Sequence, residues 1–286
     1  MAAYVHPEAL ATTDWLADHL DDPSIRVVDL RHYVRAVPGG AFRAVSGREA
    51  YQRGHIPGAM FVDFAGDLGN ILSPDHFALL MGRLGIGNDS TVVVYDDQGG
   101  TWAARLWWAL RYHGHDDVKL LNGGLPRWTA ERRPLETASP TRGVATFQAT
   151  PRPELLATRD EVLQAIGRGD VRIVDALPKP FYSGQMRLYP THRAGHIPTA
   201  RNLPATDNVD RTTQMLLSPD ELTRLWRKVE LGPDQRVITY CGAGAYGSFD
   251  FFVLHVLGHE NIALYDSSWM EWGADPELPV ETLDSE

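Results

Sequence analysis

The sequence predicts an α/β protein of two tandem domains, each a parallel sheet flanked by helices on both faces. Three observations carry this. The chain has 286 residues, more than one typical domain of about 100–150 residues needs. Short β-branched runs alternate with helix-length segments, the pattern of parallel sheets covered on both sides. The motifs of the first half also return in order in the second. Ile25-Arg26-Val27-Val28-Asp29 is answered by Val171-Arg172-Ile173-Val174-Asp175. Gly54-His55-Ile56-Pro57 returns 141 residues later as Gly195-His196-Ile197-Pro198, and Leu72-Ser73-Pro74-Asp75 returns 145 residues later as Leu217-Ser218-Pro219-Asp220. Collinear matches with small drift indicate duplication.

Each half has the same predicted order. A first helix, Thr13 to Leu20 or Thr158 to Ile166, precedes the strand that ends in Asp29 or Asp175. A long loop leads to Gly-His-Ile-Pro, where proline imposes an extended turn. His55 and His196 read as residues that fix this turn through backbone hydrogen bonds, since neither has a partner at metal-ligand spacing. After a short extended segment a helix begins at Ser-Pro-Asp, with serine as cap and proline in the first turn. Next come the strands Thr91–Tyr95 and Arg236–Tyr240, a loop, a buried helix, a short strand and a tryptophan-containing turn. Residues 139–155, rich in Pro, Thr and Ser, read as the linker between domains 1–138 and 156–286. Trp107, Trp108 and Trp128 read as core or interface residues.

Composition removes several function classes. A formal charge of −10 disfavours nucleic acid and anionic membranes as partners. A single cysteine excludes an intrachain disulfide and a multi-cysteine zinc site. The N-terminal residues lack a basic and apolar leader pattern, and no apolar run reaches the ~20 residues of a membrane span. The sequence therefore reads as a soluble, cytoplasmic protein.

The one cysteine is placed for chemistry. Cys241 follows the strand Arg236–Tyr240 and opens the small-residue loop Gly242, Ala243, Gly244, Ala245, Tyr246 and Gly247, which runs into the apolar helix Phe249–Leu257 closed by Gly258. Such a loop lets successive backbone N–H groups curl around one point, and the helix N-terminus adds its free donors. A thiolate in that cradle is expected to have a lowered pKa, and a bound anion to be stabilised. At the matching position of the first half stands Asp96, with Asp97-Gln98-Gly99-Gly100 where the cradle runs. An aspartate is no sulfur nucleophile, so the first domain reads as non-reactive.

These features together resemble a two-domain rhodanese-type sulfurtransferase, of the thiosulfate or 3-mercaptopyruvate class, over nearly the whole chain. The resemblance rests on the paired Gly-His-Ile-Pro turns, the strand-Cys-Gly-Ala-Gly loop, and Tyr265-Asp266-Ser267-Ser268-Trp269-Met270-Glu271-Trp272, close to the family's Tyr-Asp-Gly-Ser-Trp-x-Glu-Trp. It implies two tandem rhodanese-like domains and a double displacement. Cys241 takes a sulfane sulfur from a small anionic donor, thiosulfate or 3-mercaptopyruvate, and passes it to a thiol or cyanide. No metal or organic cofactor is implied. Thiosulfate-specific members carry basic residues just after the cysteine, where this chain has Gly242 and Ala243. Mercaptopyruvate-type members have a small hydroxyl residue where this chain has Tyr246. The family's substrate arginine falls at Phe181, which leaves Lys179, Arg187 and Arg193 as its nearest replacements. Ser268 stands where it can hydrogen-bond a persulfide or cap the turn before Trp269.

Two other classes are weighed against this. A cysteine phosphatase needs an arginine clamp at the end of a Cys-x5-Arg loop, and Gly247 and Ser248 stand there instead. A degenerate, non-catalytic binding or sulfur-sensing module is the alternative suggested by Phe181 and Tyr246.

Overall fold

The computed structural model describes residues 3–36, 42–232 and 235–283. The first half contains β1 (Leu10–Ala11), α1 (Thr13–Asp18), β2 (Ile25–Asp29), β3 (His32–Ala36), β4 (Phe42–Ser46), α2 (Arg48–Arg53) and β5 (Met60–Phe61). It continues with α3 (Phe64–Asp67), α4 (Pro74–Arg83), β6 (Thr91–Tyr95), α5 (Ala103–Tyr112), β7 (Val118–Leu121) and α6 (Gly124–Ala130). The second half contains α7 (Arg159–Ala165), β8 (Val171–Asp175), α8 (Lys179–Tyr182), β9 (Arg201–Asn202), α9 (Pro219–Trp226), β10 (Arg236–Tyr240), α10 (Ala245–Val256), β11 (Ile262–Leu264) and α11 (Ser268–Trp272).

Both sheets are parallel, and the repeat is visible in their order. The first runs β1-β7-β6-β2-β5 and the second β11-β10-β8-β9. A single parallel bridge from Leu156 to Leu264 takes the place of β1 in the second sheet. The central pairs keep the same register: Val27 faces Val93 in one, and Ile173 faces Ile238 in the other. Side chains of a parallel strand point alternately to two covered faces, so both faces must be apolar. β6 and β10 meet that requirement with four buried residues each.

Capping sets the helix starts that the sequence marks. The Thr12 hydroxyl accepts the Trp15 N–H at 3.1 Å, and Ser218 and Glu221 form a reciprocal capping box at α9. The Gly-His-Ile-Pro turns are fixed in the same way twice. His55 hydrogen-bonds the Tyr51 carbonyl at 2.9 Å and stacks on the Tyr51 ring, and His196 does the same with Tyr182 at 2.8 Å. Each turn is also held to its sheet, because the Tyr95 and Tyr240 hydroxyls accept the Ile56 and Ile197 N–H groups at 3.1 Å.

The long first-half loop contains an antiparallel strand pair. β3 and β4 pair antiparallel from His32↔Ser46 to Ala36↔Phe42. Residues of the segment 139–155 pack on the first domain. Phe147 is buried in the first domain's core, and Thr150 and Arg152 donate backbone N–H groups to the carbonyls of His113 and Tyr112. The two halves share one hydrophobic cluster. At its centre α5 packs on α10, with Trp107 edge-on to Phe252 at 4.9 Å. Trp107, Trp108 and Trp128 are all fully buried, as core residues should be.

Candidate active site

Cys241 sits where β10, flanked by β8 and β11, gives way to α10. The carboxyl edge of a parallel sheet is the usual ligand edge of such folds. The turn from strand to helix depends on Gly244, whose φ of +81° is left-handed. A side chain there would also strike Asp266 Oδ1 at 2.6 Å. Gly247 lies so close to β10 that a Cβ would come within 3.1 Å of the Tyr240 Cα. Helix and strand therefore pinch the loop around the sulfur.

The backbone N–H groups of Ala243, Tyr246 and Gly247 face the Cys241 sulfur and favour its thiolate. Burial acts more strongly in the other direction. Cys241 is 3 % exposed, and this burial, with a smaller contribution from the Asp175 charge, pushes its pKa above the ordinary thiol value. The expected lowering is thus corrected: the donors are in place, but the resting site is too dry for them to prevail.

The loop is braced from behind. Cys241 N–H donates to Ser268 Oγ at 3.1 Å, and that hydroxyl donates to the Tyr265 carbonyl at 2.8 Å. The Cys241 and Gly242 carbonyls accept the Trp269 and Met270 N–H groups at 3.0 and 2.9 Å. The Ser248 hydroxyl donates to the Gly244 carbonyl at 2.7 Å. Ser268 has a left-handed φ of +51° and is fully buried, so its hydroxyl is engaged as a brace.

None of the three basic candidates hydrogen-bonds the Cys241 loop among the described residues. Arg193 is tied to the C-terminal turns: its guanidinium donates to the carbonyls of Trp272 at 2.9 Å, Asp275 at 2.5 Å and Leu278 at 2.5 Å. Lys179 is exposed and lines a cleft of about 370 Å³ with Lys228 and Asp207. Arg187 is exposed and has no hydrogen-bond or ion-pair partner among the described residues. Directly over the loop lie residues with no sequence signal. A Cβ on Gly242 would meet Leu188 Cδ2 at 2.5 Å and Tyr189 Oη at 3.2 Å. These two roof the cysteine. Phe181, in the family's arginine position, packs edge-on against Phe42 of the first domain.

The first domain keeps the cradle and fills it with its own anion. Asp96 is fully buried. Its Oδ1 accepts the N–H groups of Gln98 and Gly100, both at 2.8 Å, and its Oδ2 those of Trp102 at 2.7 Å and Ala103 at 2.9 Å. The domains also meet at the cradle through a buried ion pair. Arg105 on α5 pairs with Asp266 and donates to the Leu68 carbonyl at 3.1 Å. Asp266 in turn accepts the Ile71 N–H at 3.1 Å. A lone arginine in the apolar run Ala103–Leu110 is the signal that could have marked this contact, because a buried charge needs a partner.

A second contrast separates the halves. Asp29 is paired with Arg31, whose guanidinium also holds the Gly54 carbonyl at 2.8 Å. Leu177 stands at the equivalent place beside Asp175, whose Oδ1 accepts the Leu177 N–H at 2.8 Å. Burial without a cation raises the Asp175 pKa to about 7, against smaller opposing effects of the Leu177 N–H and the Tyr240 hydroxyl.

Among the described residues no group of three or more His, Cys, Asp or Glu side chains is placed to hold a metal ion, and no helix is long and apolar enough to cross a membrane.

The rhodanese-like domain family matches residues 12–131 and again 158–275. The sulfur carrier protein TtuD of Thermus thermophilus is 36 % identical over 97 % of this chain and 98 % of its own length. The 3-mercaptopyruvate sulfurtransferase of Escherichia coli K12 is 36 % identical over 94 % of this chain and 96 % of its own. The structure of SseA from Escherichia coli, described as showing the rhodanese fold and catalytic mechanism of 3-mercaptopyruvate sulfotransferases, superposes with a TM-score of 0.80. It is 32 % identical and covers 91 % of this chain and 98 % of that one.

Proposed function

The chain belongs to the rhodanese-like domain family, and we propose that it is a sulfurtransferase whose moving sulfur is carried as a persulfide on Cys241. The donor is thiosulfate or 3-mercaptopyruvate, and the acceptor a thiol or cyanide. The observation that supports this reading best is the position of the Cys241 sulfur among the N–H groups of Ala243, Tyr246 and Gly247. Donors preorganised around a point where negative charge develops stabilise the charged species without reorganisation.

The chemistry follows in two displacements. The Cys241 thiolate attacks the outer sulfur of thiosulfate. A new S–S bond forms, and the old one breaks with its electron pair leaving on sulfite. The persulfide anion then lies within the cradle. An acceptor thiolate or cyanide attacks its outer sulfur, and the electron pair of the breaking bond returns to Cys241. With 3-mercaptopyruvate the same attack breaks the carbon–sulfur bond, and the carbon takes a proton to give pyruvate. Because burial holds the thiol protonated, the first displacement is expected to accelerate with pH until Cys241 ionises.

The test is thiocyanate release from either donor with cyanide as acceptor. Turnover that vanishes in a folded Cys241→Ala variant is the expected result. Retained turnover in that variant would refute the mechanism.

A further inference from the structure

The side chains around Cys241 bear on the donor it accepts, and this inference rests on the persulfide reading above. An anion entering a buried site needs a counter-charge or several donors, because stripping its water otherwise costs more than the contacts return. Neither Arg105 nor Arg193 is free to meet an anion at the loop. Arg105, the cation that touches Gly244, is already paired with Asp266. Arg193 is held by backbone carbonyls. Asp175, at the end of the neighbouring strand β8, is fully buried with no cation beside it among the described residues, so it adds no positive charge to the site. A dianion such as thiosulfate is poorly served here.

Besides the loop's own N–H groups, the neutral side-chain donor placed over Gly242 is a phenol. The Tyr189 hydroxyl stands over Gly242 and has no hydrogen-bond partner among the described residues. Burial, with a smaller effect of negative charge on Cys241, raises its pKa above the ordinary phenol value. The hydroxyl therefore keeps its proton at any physiological pH and offers one O–H to whatever lies above the cradle. A phenol suits a singly charged head and cannot neutralise a doubly charged one.

We infer that Tyr189 is the specificity-determining side chain of this site, its hydroxyl holding the anionic head of a monoanionic organic sulfur donor in preference to dianionic thiosulfate. Leu188, its neighbour in the roof, supplies the apolar wall and limits access to the sulfur.

The experiment is steady-state sulfur transfer to cyanide by the full chain, with 3-mercaptopyruvate as the monoanionic probe and thiosulfate as the dianionic one. Cys241 alkylation by iodoacetamide is measured in parallel. The wild type is expected to show a kcat/KM at least about tenfold higher for the monoanion. A hydrogen bond to a charged group contributes about 1.5–3 kcal/mol, so Tyr189→Phe is expected to lower that value by roughly 10–100-fold. The loss should fall on KM, because the bond is made equally in the ground and transition states. Tyr189→Phe should alkylate at the wild-type rate, whereas Leu188→Ala should alkylate faster, which separates binding from access. A preference for thiosulfate would overturn the inference, as would an unchanged KM in Tyr189→Phe or a loss that appears in Arg187→Ala instead. Failure of the wild type to turn over either donor, with no sulfur gained on Cys241, would overturn the persulfide reading and this one with it.

Discussion

Replacing Asp96 by alanine tests whether the first domain's loop is built around its own carboxylate. The side chain accepts four backbone N–H groups at 2.7–2.9 Å. Three of the donors, Gly100, Trp102 and Ala103, are themselves buried. Each buried N–H left without an acceptor costs about 1–3 kcal/mol, which sets an upper range of roughly 3–9 kcal/mol for the three. Two effects reduce it. Burial raises the Asp96 pKa, so holding the carboxylate there already has a cost, and water can enter the space left by the side chain. The expected loss is about 3–5 kcal/mol, a large part of the 5–15 kcal/mol that holds a typical domain folded. Urea unfolding is the assay, read as a lower midpoint at unchanged slope. Asp96→Asn should fall in between, since its amide oxygen keeps one pair of bonds while its NH2 opposes the other. At temperatures where the variant is folded, turnover per molecule should be that of the wild type. A loss below about 1 kcal/mol would refute the view that the carboxylate anchors this loop.

Other outcomes follow from the charges. Asp175 ionises near 3.9 in an unfolded chain and near 7 in the folded protein. Between these values the native state holds the extra proton, so stability falls as pH rises from about 4 to about 7 and levels off above. Asp175→Asn should remove that contribution and flatten the slope of urea midpoints taken across the range; an identical slope in both proteins would be the contrary result. The same variant should alkylate somewhat faster at Cys241, because burial and, to a smaller extent, the Asp175 charge hold the thiol pKa up. Arg105→Met leaves Asp266 buried and unpaired, at a cost of about 3–5 kcal/mol. In a double-mutant cycle with Asp266→Asn the losses should fall well short of additive, and additivity would show that the domains are not coupled there.

The parts of this fold that were legible in the sequence are those fixed by local chemistry. The strands at 25–29, 91–95, 171–175 and 236–240 have the expected bounds, because β-branched runs leave few alternatives. The helices announced by Ser73 and Ser218 begin at those caps, and those expected from Thr13 and Thr158 begin at Thr13 and Arg159, capped by Thr12 and Thr158. α10 begins at Ala245, four residues before Phe249. Small loop residues carry no apolar periodicity, so the first helical turn was invisible. The β3–β4 pairing was missed although alternating residues flank the turn signal Pro38-Gly39-Gly40, positions that lie outside the described residues. At the site, the position of Cys241 and its N–H donors could be read from strand, glycines and helix. The roof of Leu188 and Tyr189 could not, because it arrives from a loop some fifty residues away. Nor could the direction of the thiol pKa, which burial decides and local sequence does not report. The internal repeat also made Asp96 conspicuous, but only the four hydrogen bonds reveal that it occupies the cradle.

The most direct test of the persulfide on Cys241 is the intact mass of the protein after incubation with donor and removal of excess reagent. The wild type should gain the mass of one sulfur atom and lose it on addition of cyanide, with one equivalent of thiocyanate released. Cys241→Ser should gain nothing and release nothing. Thiocyanate formation by the serine variant, or turnover by the wild type through a form that never gains sulfur at Cys241, would contradict the account.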